Sequence, residues 1–479
     1  MNSLKSTATY LPGILLPRIG SLGLIIVMTH LLPKEEYGLL TLVVTVGELV
    51  DASMTTWVRL ALLRLGSGGM ISRMLANVVL GSVAVTTALG GVLSLVISLV
   101  LVPDQPFLFW LAVFSYILAI SLLRFGLALL QLNGRSVTYS TLEIGRAIVS
   151  FTAAVVTASL FGSSFLFPSL AVGGSTAVFA ALAVQKGYSG LPRTEQQYRY
   201  KDVTAFAGPL LILSALTIVA NAMDRLVLQY FWGPAAVGAY AAVYALARQP
   251  IDVLANALNV GGYPALVGHY EQGGRPEASK FLQYQLGFFL KFIIPPACVM
   301  LLLQQDLAAA LLPSAYAAQS GKIFGIVLMG AIAFNIRSVI FDNVFLVERQ
   351  NMLQLRYFVF VFAVALALAA IAVPQLGVAG AAVIFLTWTT LALLLSALFG
   401  RRLIAFPFPT TELGHAASLA GASCAVVALL HQLLVGYAPF ARLAAEGGAA
   451  TIVYGMTLTV LHRREVPRLL GKMRRHRAG

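Results

Sequence analysis

Fifteen ionisable side chains lie inside apolar runs of this 479-residue sequence, and the runs are long enough to cross a membrane. An ionised side chain at the bilayer centre costs at least ~2.5 kcal/mol on insertion scales. So many charges in one chain predict a shared, hydrated interior. The nine basic residues are Arg18, Arg59, Arg124, Arg146, Arg225, Arg248, Lys291, Lys322 and Arg337, and the six acidic residues are Glu48, Asp51, Glu143, Asp224, Asp252 and Asp342.

Two interpretations of these charges compete. In the first, the neighbours Glu143–Arg146, Asp224–Arg225 and Arg248–Asp252 are structural pairs between packed helices. In the second, which we favour, the basic excess lines a cavity that receives an anionic headgroup, because the planar guanidinium fork holds phosphate oxygens bidentately and keeps its charge. The predicted anion contacts are Arg18, Arg59, Arg146, Arg225, Arg248, Lys291 and Arg337.

Four acids are candidates for ion coupling or for the cavity wall: Glu48, Asp51, Asp224 and Asp252. Asp224, with Asn221 one helical turn before it, could bind a sodium ion or a proton, and a structural role is an open alternative. No cofactor, metal site or catalytic group is expected, since the two cysteines lie in apolar runs and the six histidines show no metal-ligand spacing.

The amino-acid composition indicates that transmembrane helices must position these charged side chains. The chain is 59% hydrophobic and 10% charged, whereas soluble proteins carry roughly 25% charged residues. A soluble enzyme, a nucleic-acid binder and a disordered chain are therefore excluded. We predict an all-α polytopic membrane protein with about 14 transmembrane helices. The predicted spans are 9–32, 39–63, 74–102, 107–130, 139–160, 166–185, 203–231, 236–262, 281–304, 318–346, 353–372, 377–399, 412–434 and 442–461.

Positive charge in the breaks between spans predicts the orientation. Segments on the side of the N-terminus hold 21 Lys and Arg residues, and the opposite loops hold two, Lys34 and Arg442. Because short cytoplasmic loops are enriched in Lys and Arg, both termini are expected in the cytoplasm. The net charge of +14 is then mainly a topology signal, and nucleic acid is not expected as a partner.

An internal repeat predicts two lobes. Residues 32–39, between helices 1 and 2, match residues 232–239, between helices 7 and 8, at an offset of 200. Polar residues follow on one face of each second helix. Such parallel repeats are related by an axis along the membrane normal. We expect an N-lobe at 1–185, a cytoplasmic linker at 186–202, a C-lobe at 203–400, two extra helices at 401–461 and a basic tail at 462–479.

The first span with its arginine, the turn Pro33-Lys34-Glu35-Glu36-Tyr37-Gly38, and Asn221-Ala222-Met223-Asp224-Arg225-Leu226 running to Val237-Gly238-Ala239-Tyr240 resemble a known family. They look like the polysaccharide-transporter, or Wzx-like, branch of the multidrug/oligosaccharidyl-lipid/polysaccharide (MOP) exporter superfamily. The resemblance implies a bacterial inner-membrane flippase, not an enzyme, that moves an undecaprenyl-pyrophosphate-linked oligosaccharide to the periplasmic leaflet by alternating access. It also implies that the flippase cooperates with a polysaccharide polymerase or with export machinery.

The sequence departs from the related lipid II flippase branch, which uses a helix 7 acid and polar groups on helices 11 and 12 for sodium. Asp224 matches that acid, but the span 353–372 holds no acid, so coupling to sodium or to protons stays open. Lipid II flipping and multidrug export are the alternatives within the superfamily. A polysaccharide polymerase or ligase is a further alternative, although the longest predicted periplasmic loop, 305–317, carries few polar groups.

Overall fold

The computed structural model describes residues 2–65, 71–162, 164–192 and 200–461. Side chains are described from Pro12 onwards, with gaps at 14, 60, 64–65 and 200–214. The predicted basic tail at 462–479 and residues 193–199 of the predicted linker lie outside the described residues. The predicted lobe and linker boundaries stay predictions.

Regular structure in the described ranges is helical throughout, with no strand. A short π-helical turn, Arg337–Phe341, joins α11 to α12. The helices are α1 (Asn2–Leu31), α2 (Lys34–Met54), α3 (Thr56–Leu65), α4 (Arg73–Leu101), α5 (Pro106–Leu132), α6 (Ser136–Leu160), α7 (Leu166–Tyr188), α8 (Tyr200–Leu302), α9 (Gln304–Leu311), α10 (Ser314–Ala317), α11 (Ser320–Ile336), α12 (Asp342–Val347), α13 (Asn351–Leu376), α14 (Val378–Leu403), α15 (Thr410–Leu433) and α16 (Pro439–Leu461).

The predicted all-α polytopic architecture is confirmed. Each of the fourteen predicted spans falls on a helix, on a helix pair (α2 with α3, α11 with α12), or on one of three segments of α8. The segments 200–232, 234–273 and 275–302 meet at Gly233 (φ 74°) and Gly274 (φ 64°). Positive φ is strained for side-chain-bearing residues, so these two glycines permit the reversals within α8.

The outer surface of the helices suits lipid. On α4, Val85, Leu89, Val92 and Val96 are each more than half exposed, and their spacing places them on one face. Such an apolar stripe would be costly in water but matches a hydrocarbon environment. Ten helices of the described chain are long and apolar enough to span a membrane, counting the continuous stretch Ala215–Leu302 as one.

Helices pack against one another both within and between the two halves of the chain. In the first half, α5 packs against α4 and α7, and α6 packs against α1 and α7. In the second half, α14 packs against α11 and α13, and all three contact α8. The last two helices pack against each other, with α15 also on α8 and α16 also on α9. Between the halves, α2 packs along α8.

The two copies of the predicted repeat meet in this contact between α2 and α8. A Cβ at Gly38 would overlap the carbonyl of Pro234 and lie 3.1 Å from the Gly238 nitrogen. A Cβ at Gly238 would overlap the carbonyl of Lys34 and lie 3.1 Å from the Gly38 nitrogen. The contact is reciprocal at the 200-residue offset, as expected for a pair related by a two-fold axis. The absence of side chains at both positions lets the backbones touch.

Further contacts close the same end of the molecule, which is the predicted periplasmic end. The Tyr316 hydroxyl donates to the carbonyl of Leu32 at 3.3 Å, and its ring meets the Tyr37 ring edge-on at 5.7 Å. Burial raises the pKa of the Tyr316 hydroxyl, and the nearby Glu35 carboxylate adds to this effect, so Tyr316 stays a neutral donor. Gln229 also donates from Nε2 to the carbonyl of Leu101 at 2.9 Å. We call this set of contacts between the halves the outer seal.

Gly38→Ala is predicted to open the outer seal, because the new methyl group overlaps the Pro234 carbonyl. Overpacking of this kind costs ~1–3 kcal/mol, which shifts a closed–open equilibrium by about fivefold or more. The readout is alkylation by a membrane-impermeant maleimide at Thr41→Cys, beneath the seal, in a chain whose Cys298 and Cys424 are replaced by serine. Labelling from the predicted periplasmic side should rise.

The matched control is Gly261→Ala, since no atom lies within 4 Å of a Cβ built there. It should label at the parental rate. Equal labelling of the Gly38→Ala and Gly261→Ala chains would show that the glycine contact does not hold the seal.

Candidate functional site

A cavity of about 420 Å³, cavity A, lies directly beneath the outer seal. The first half of the chain contributes α1, α2, α5, α6 and α7 to its wall, and the second half contributes two segments of α8. Cavity A is therefore enclosed between the two halves. Its polar and aromatic lining residues are Tyr37, Thr41, Thr45, Tyr116, Ser169, Asn221, Arg225, Tyr244, Arg248, Gln249 and Asp252.

The two arginines of cavity A share Tyr244. The Arg225 guanidinium lies over the Tyr244 ring at 4.3 Å, and the Arg248 guanidinium donates to the Tyr244 hydroxyl. Arg248 also donates from Nε to Asp252 at 3.0 Å and from Nη1 to Asn221 at 3.2 Å. These contacts hold Arg248 in one orientation, while Arg225 keeps a guanidinium that faces the cavity.

A second cavity of about 630 Å³, cavity B, lies within the first half of the chain, closer to the predicted cytoplasmic end. It is enclosed by the early part of α1, the second half of α5, the start of α6, and α2 with α3. Four arginines and two glutamates line it, so its lining is net positive. These residues are Arg18, Arg59, Arg124, Arg146, Glu48 and Glu143.

Two hydrogen bonds link the two cavities. Tyr116 of cavity A donates from its hydroxyl to Glu48 of cavity B at 2.7 Å. Ser21 of cavity B donates to the side-chain oxygen of Gln249 of cavity A at 3.5 Å. A continuous set of polar groups therefore runs from the predicted cytoplasmic end to the underside of the outer seal.

Three arginines of the cavities have no carboxylate within 4 Å among the residues that the structure describes: Arg18, Arg59 and Arg225. Arg18 is exposed, and Nε of both Arg59 and Arg225 is buried without a hydrogen-bond partner. A guanidinium that lines a cavity without a carboxylate partner can donate hydrogen bonds to an anion that enters the cavity. These three cations are the groups best placed to receive an anion.

Other charges neutralise one another as packed networks. Arg124 binds Asp51 through Nη1 and both oxygens of Glu48 through Nη2, at 2.9 and 2.8 Å. Asp51 is fully buried and accepts two more hydrogen bonds, from Thr55 and Ser121, each at 2.5 Å. The candidate coupling acids Glu48 and Asp51 are thus both engaged by Arg124.

Of the three side-chain pairs predicted from the sequence, two form in the structure and one does not. Arg146 binds Glu143 at 2.9 Å, and Arg248 binds Asp252 at 3.0 Å, as the pairing interpretation predicts. Asp224 and Arg225 do not form a side-chain ion pair: Asp224 accepts from the Tyr240 hydroxyl at 2.6 Å and from the Arg225 backbone at 2.8 Å. Consecutive helical residues point about 100° apart, which separates the two side chains.

Two of the predicted anion contacts, Lys291 and Arg337, line neither cavity A nor cavity B. Lys291 binds Glu412 of α15 at 2.6 Å. Arg337 is 3% exposed, with its guanidinium 5.1–5.8 Å from the rings of Phe334, Phe358 and Trp388 and 3.6 Å from Asp342. Lys291 is paired with a carboxylate and Arg337 is enclosed by aromatic rings, so neither cation is available to a ligand in the cavities.

Asp224, the candidate coupling acid of helix 7, is 1% exposed and lies against Tyr240. Two threonines of the predicted twelfth span hydrogen-bond within their own helix: Thr387 donates to the carbonyl of Val383 and Thr389 to the carbonyl of Phe385. The described contacts of Asp224 neither build nor exclude a cation site, so its coupling role stays a prediction.

Sequence reasoning missed several residues of the site. Arg124 was noted among the charges inside spans but not as part of the cavity wall, and Tyr116, Tyr139 and Gln249 were not singled out. The charge of Arg124 inside a span was a signal that this residue could belong to the cavity wall. The tyrosines and the glutamine carried none, because polar side chains that face a cavity have the same local pattern as those that face a neighbouring helix.

The fold is shared with solved transporter structures. The chain superposes on the lipid II flippase MurJ in an inward closed conformation with a TM-score of 0.72, at 12% identity, over 94% of this chain and 98% of that one. A MOP superfamily transporter from Pyrococcus furiosus gives 0.58, at 14% identity, over 84% and 95%. The eukaryotic MATE transporter AtDTX14 gives 0.57, at 12% identity, over 87% and 99%. No protein-family model and no curated protein matches the sequence. The chain therefore has the MOP superfamily fold.

Arg124→Met is predicted to destabilise the protein more than the triple variant Arg124→Met with Asp51→Asn and Glu48→Gln. Removing the arginine alone leaves two carboxylates without their cation and costs about 3 kcal/mol or more, whereas removing all three groups leaves no uncompensated charge. Thermal unfolding of the purified protein in detergent measures the order of stabilities.

Glu277→Gln is the control, since its pair with Lys280 is exposed and such pairs contribute ~0–1 kcal/mol. If Arg124→Met unfolds at the same temperature as Glu277→Gln, the network around Arg124 is not a structural requirement.

Proposed function

We propose that this protein is a flippase that moves an undecaprenyl-pyrophosphate-linked oligosaccharide from the cytoplasmic to the periplasmic leaflet of a bacterial inner membrane by alternating access. The observation that carries the proposal is the pair of linked basic cavities, in which Arg18, Arg59 and Arg225 have no carboxylate partner among the described residues. A polytopic chain with the MOP fold and such an interior is suited to an anionic, lipid-linked cargo.

The chemistry of the cavities fits a pyrophosphate better than a cationic drug. Each guanidinium can donate two parallel hydrogen bonds to phosphate oxygens, and the low dielectric strengthens such contacts. A cation would meet the arginines as like charges. The tyrosines and amides of cavity A supply hydrogen-bonding and stacking surfaces for sugars. The lipid tail would stay in the bilayer beside the helices.

The arrangement of the two ends supports loading from the cytoplasm. The outer seal closes the predicted periplasmic end through Gly38 and Gly238, and cavity B extends towards the opposite end. In the proposed cycle the anionic headgroup enters cavity B, reaches cavity A along the linked polar groups, and leaves after the outer seal opens. Both termini lie in the cytoplasm in this proposal, as the distribution of Lys and Arg predicts.

Lipid II flipping is a second candidate, favoured by the extent of the structural likeness to MurJ. Lipid II carries the same pyrophosphate, so the arginines do not discriminate between the two cargoes. The proposal includes coupling to sodium or protons through Asp224. It also includes cooperation with a polysaccharide polymerase or with export machinery. No resident cofactor is part of it.

The experiment is translocation in proteoliposomes by the purified protein, comparing Arg18→Ala with Arg225→Ala in one chain against the parent. Hydrogen bonds to charged groups contribute about 1.5–3 kcal/mol each, so losing both arginines should slow translocation of a labelled undecaprenyl-pyrophosphate oligosaccharide about 100-fold. Lys280→Ala, an exposed surface change, is the control and should translocate at the parental rate.

Parental translocation by a correctly inserted double variant would contradict the proposal. Movement of lipid II without movement of other glycosylated carriers would favour the second candidate. Movement of a cationic dye alone would assign the chain to multidrug export.

A further inference from the structure

A cluster of three potential ligands joins the last two helices to the rest of the molecule. It contains Asp306 of α9, His431 near the end of α15 and Glu446 of α16. The cluster lies at the predicted periplasmic end and lines neither cavity A nor cavity B. It takes no part in the proposed translocation path, so its role is independent of the proposed function.

The histidine lies between the two carboxylates. His431 Nδ1 is 3.1 Å from Glu446 Oε1 and 3.4 Å from Asp306 Oδ2. All three ligand atoms lie within 4.8 Å of one another. The other oxygen of Asp306 binds the Arg442 guanidinium, which holds that carboxylate in orientation.

Glu446 shows that the cluster lacks a partner. Its side chain is 0% exposed, and its Oε2 atom is buried without a hydrogen bond. Arg442 compensates one of the two buried carboxylates, and the other has only the imidazole. A buried carboxylate without full compensation is costly, so the cluster is built to receive a further positive charge.

The distances fit a tetrahedral metal ion. Zinc binds histidine nitrogen at 2.0–2.1 Å and carboxylate oxygen at 2.0–2.2 Å, so neighbouring ligand atoms in a tetrahedral site lie about 3.3 Å apart. The two His431 separations match that edge length. The His431 side chain is 45% exposed, which gives an entry path and room for water as a fourth ligand. Arg442 on the second oxygen of Asp306 is the kind of contact that orients metal-binding carboxylates.

We propose that Asp306, His431 and Glu446 bind one zinc-like divalent ion that fastens α15 and α16 to α9. The ion neutralises the buried carboxylates and connects α9 with two consecutive helices that lie about 100 residues or more later in the chain. Because bound metal stabilises only the folded arrangement of its ligands, the site should raise the unfolding temperature of the protein. It should do so whether or not a glycan carrier is present.

The test is retention of Zn²⁺ by the purified full chain, prepared through a tag without histidine and stripped with chelator. After incubation with Zn²⁺ and desalting, elemental analysis should find about one ion per chain. Thermal unfolding should move to higher temperature with Zn²⁺ and return on adding chelator. Both measurements use the unmodified protein and therefore do not depend on the folding of any variant.

His431→Ala and Glu446→Gln should each weaken Zn²⁺ binding at least about tenfold, since the first removes the imidazole ligand and the second replaces the carboxylate by a neutral amide. His415→Ala is the matched control, because it removes the other histidine of α15, which lies beside Glu412, and it should retain the ion. The proposal is overturned if the unmodified chain retains no Zn²⁺, or if His431→Ala and Glu446→Gln retain as much as His415→Ala.

Discussion

The cost of placing a guanidinium in hydrocarbon governs this structure. Each arginine inside a span must find a carboxylate, an aromatic enclosure or water. Arg124 takes Asp51 and Glu48, and Arg337 lies among aromatic rings. Arg18, Arg59 and Arg225 take none of the described carboxylates within 4 Å and line cavities instead. The cavities lie where the charge of an arginine is not balanced by a packed carboxylate or an aromatic enclosure.

Close backbone contact at the predicted periplasmic end lets the helices form a closed bundle around this charged interior. The reciprocal approach of Gly38 and Gly238 brings the two repeats together without side chains, and Tyr316 and Gln229 add hydrogen bonds across the same boundary. Small residues allow this kind of approach between membrane helices. In the proposed alternating-access cycle, these contacts must separate when the opposite conformation is populated.

The fold was largely predictable because its signals are local. A run of about 20 apolar residues specifies a span by itself. The match between residues 32–39 and 232–239 predicted two repeats, but the contact of their matched glycines in the outer seal was visible only in the structure. Partner choice was less predictable, because it depends on which helices become neighbours. Lys291 gave no sign of its contact with Glu412, more than 100 residues away, and the adjacent residues Asp224 and Arg225 looked like a pair but point apart.

Native mass spectrometry of the purified protein measures whether the arginines that have no carboxylate partner among the described residues bind a pyrophosphate headgroup. The protein is offered a glycosylated undecaprenyl pyrophosphate, lipid II and a cationic dye together. We expect retention of a pyrophosphate carrier over the dye, with Arg225→Ala weakening retention about tenfold or more and Lys280→Ala leaving it unchanged. Retention of the dye alone, or equal carrier retention by the Arg225→Ala protein, would contradict this expectation.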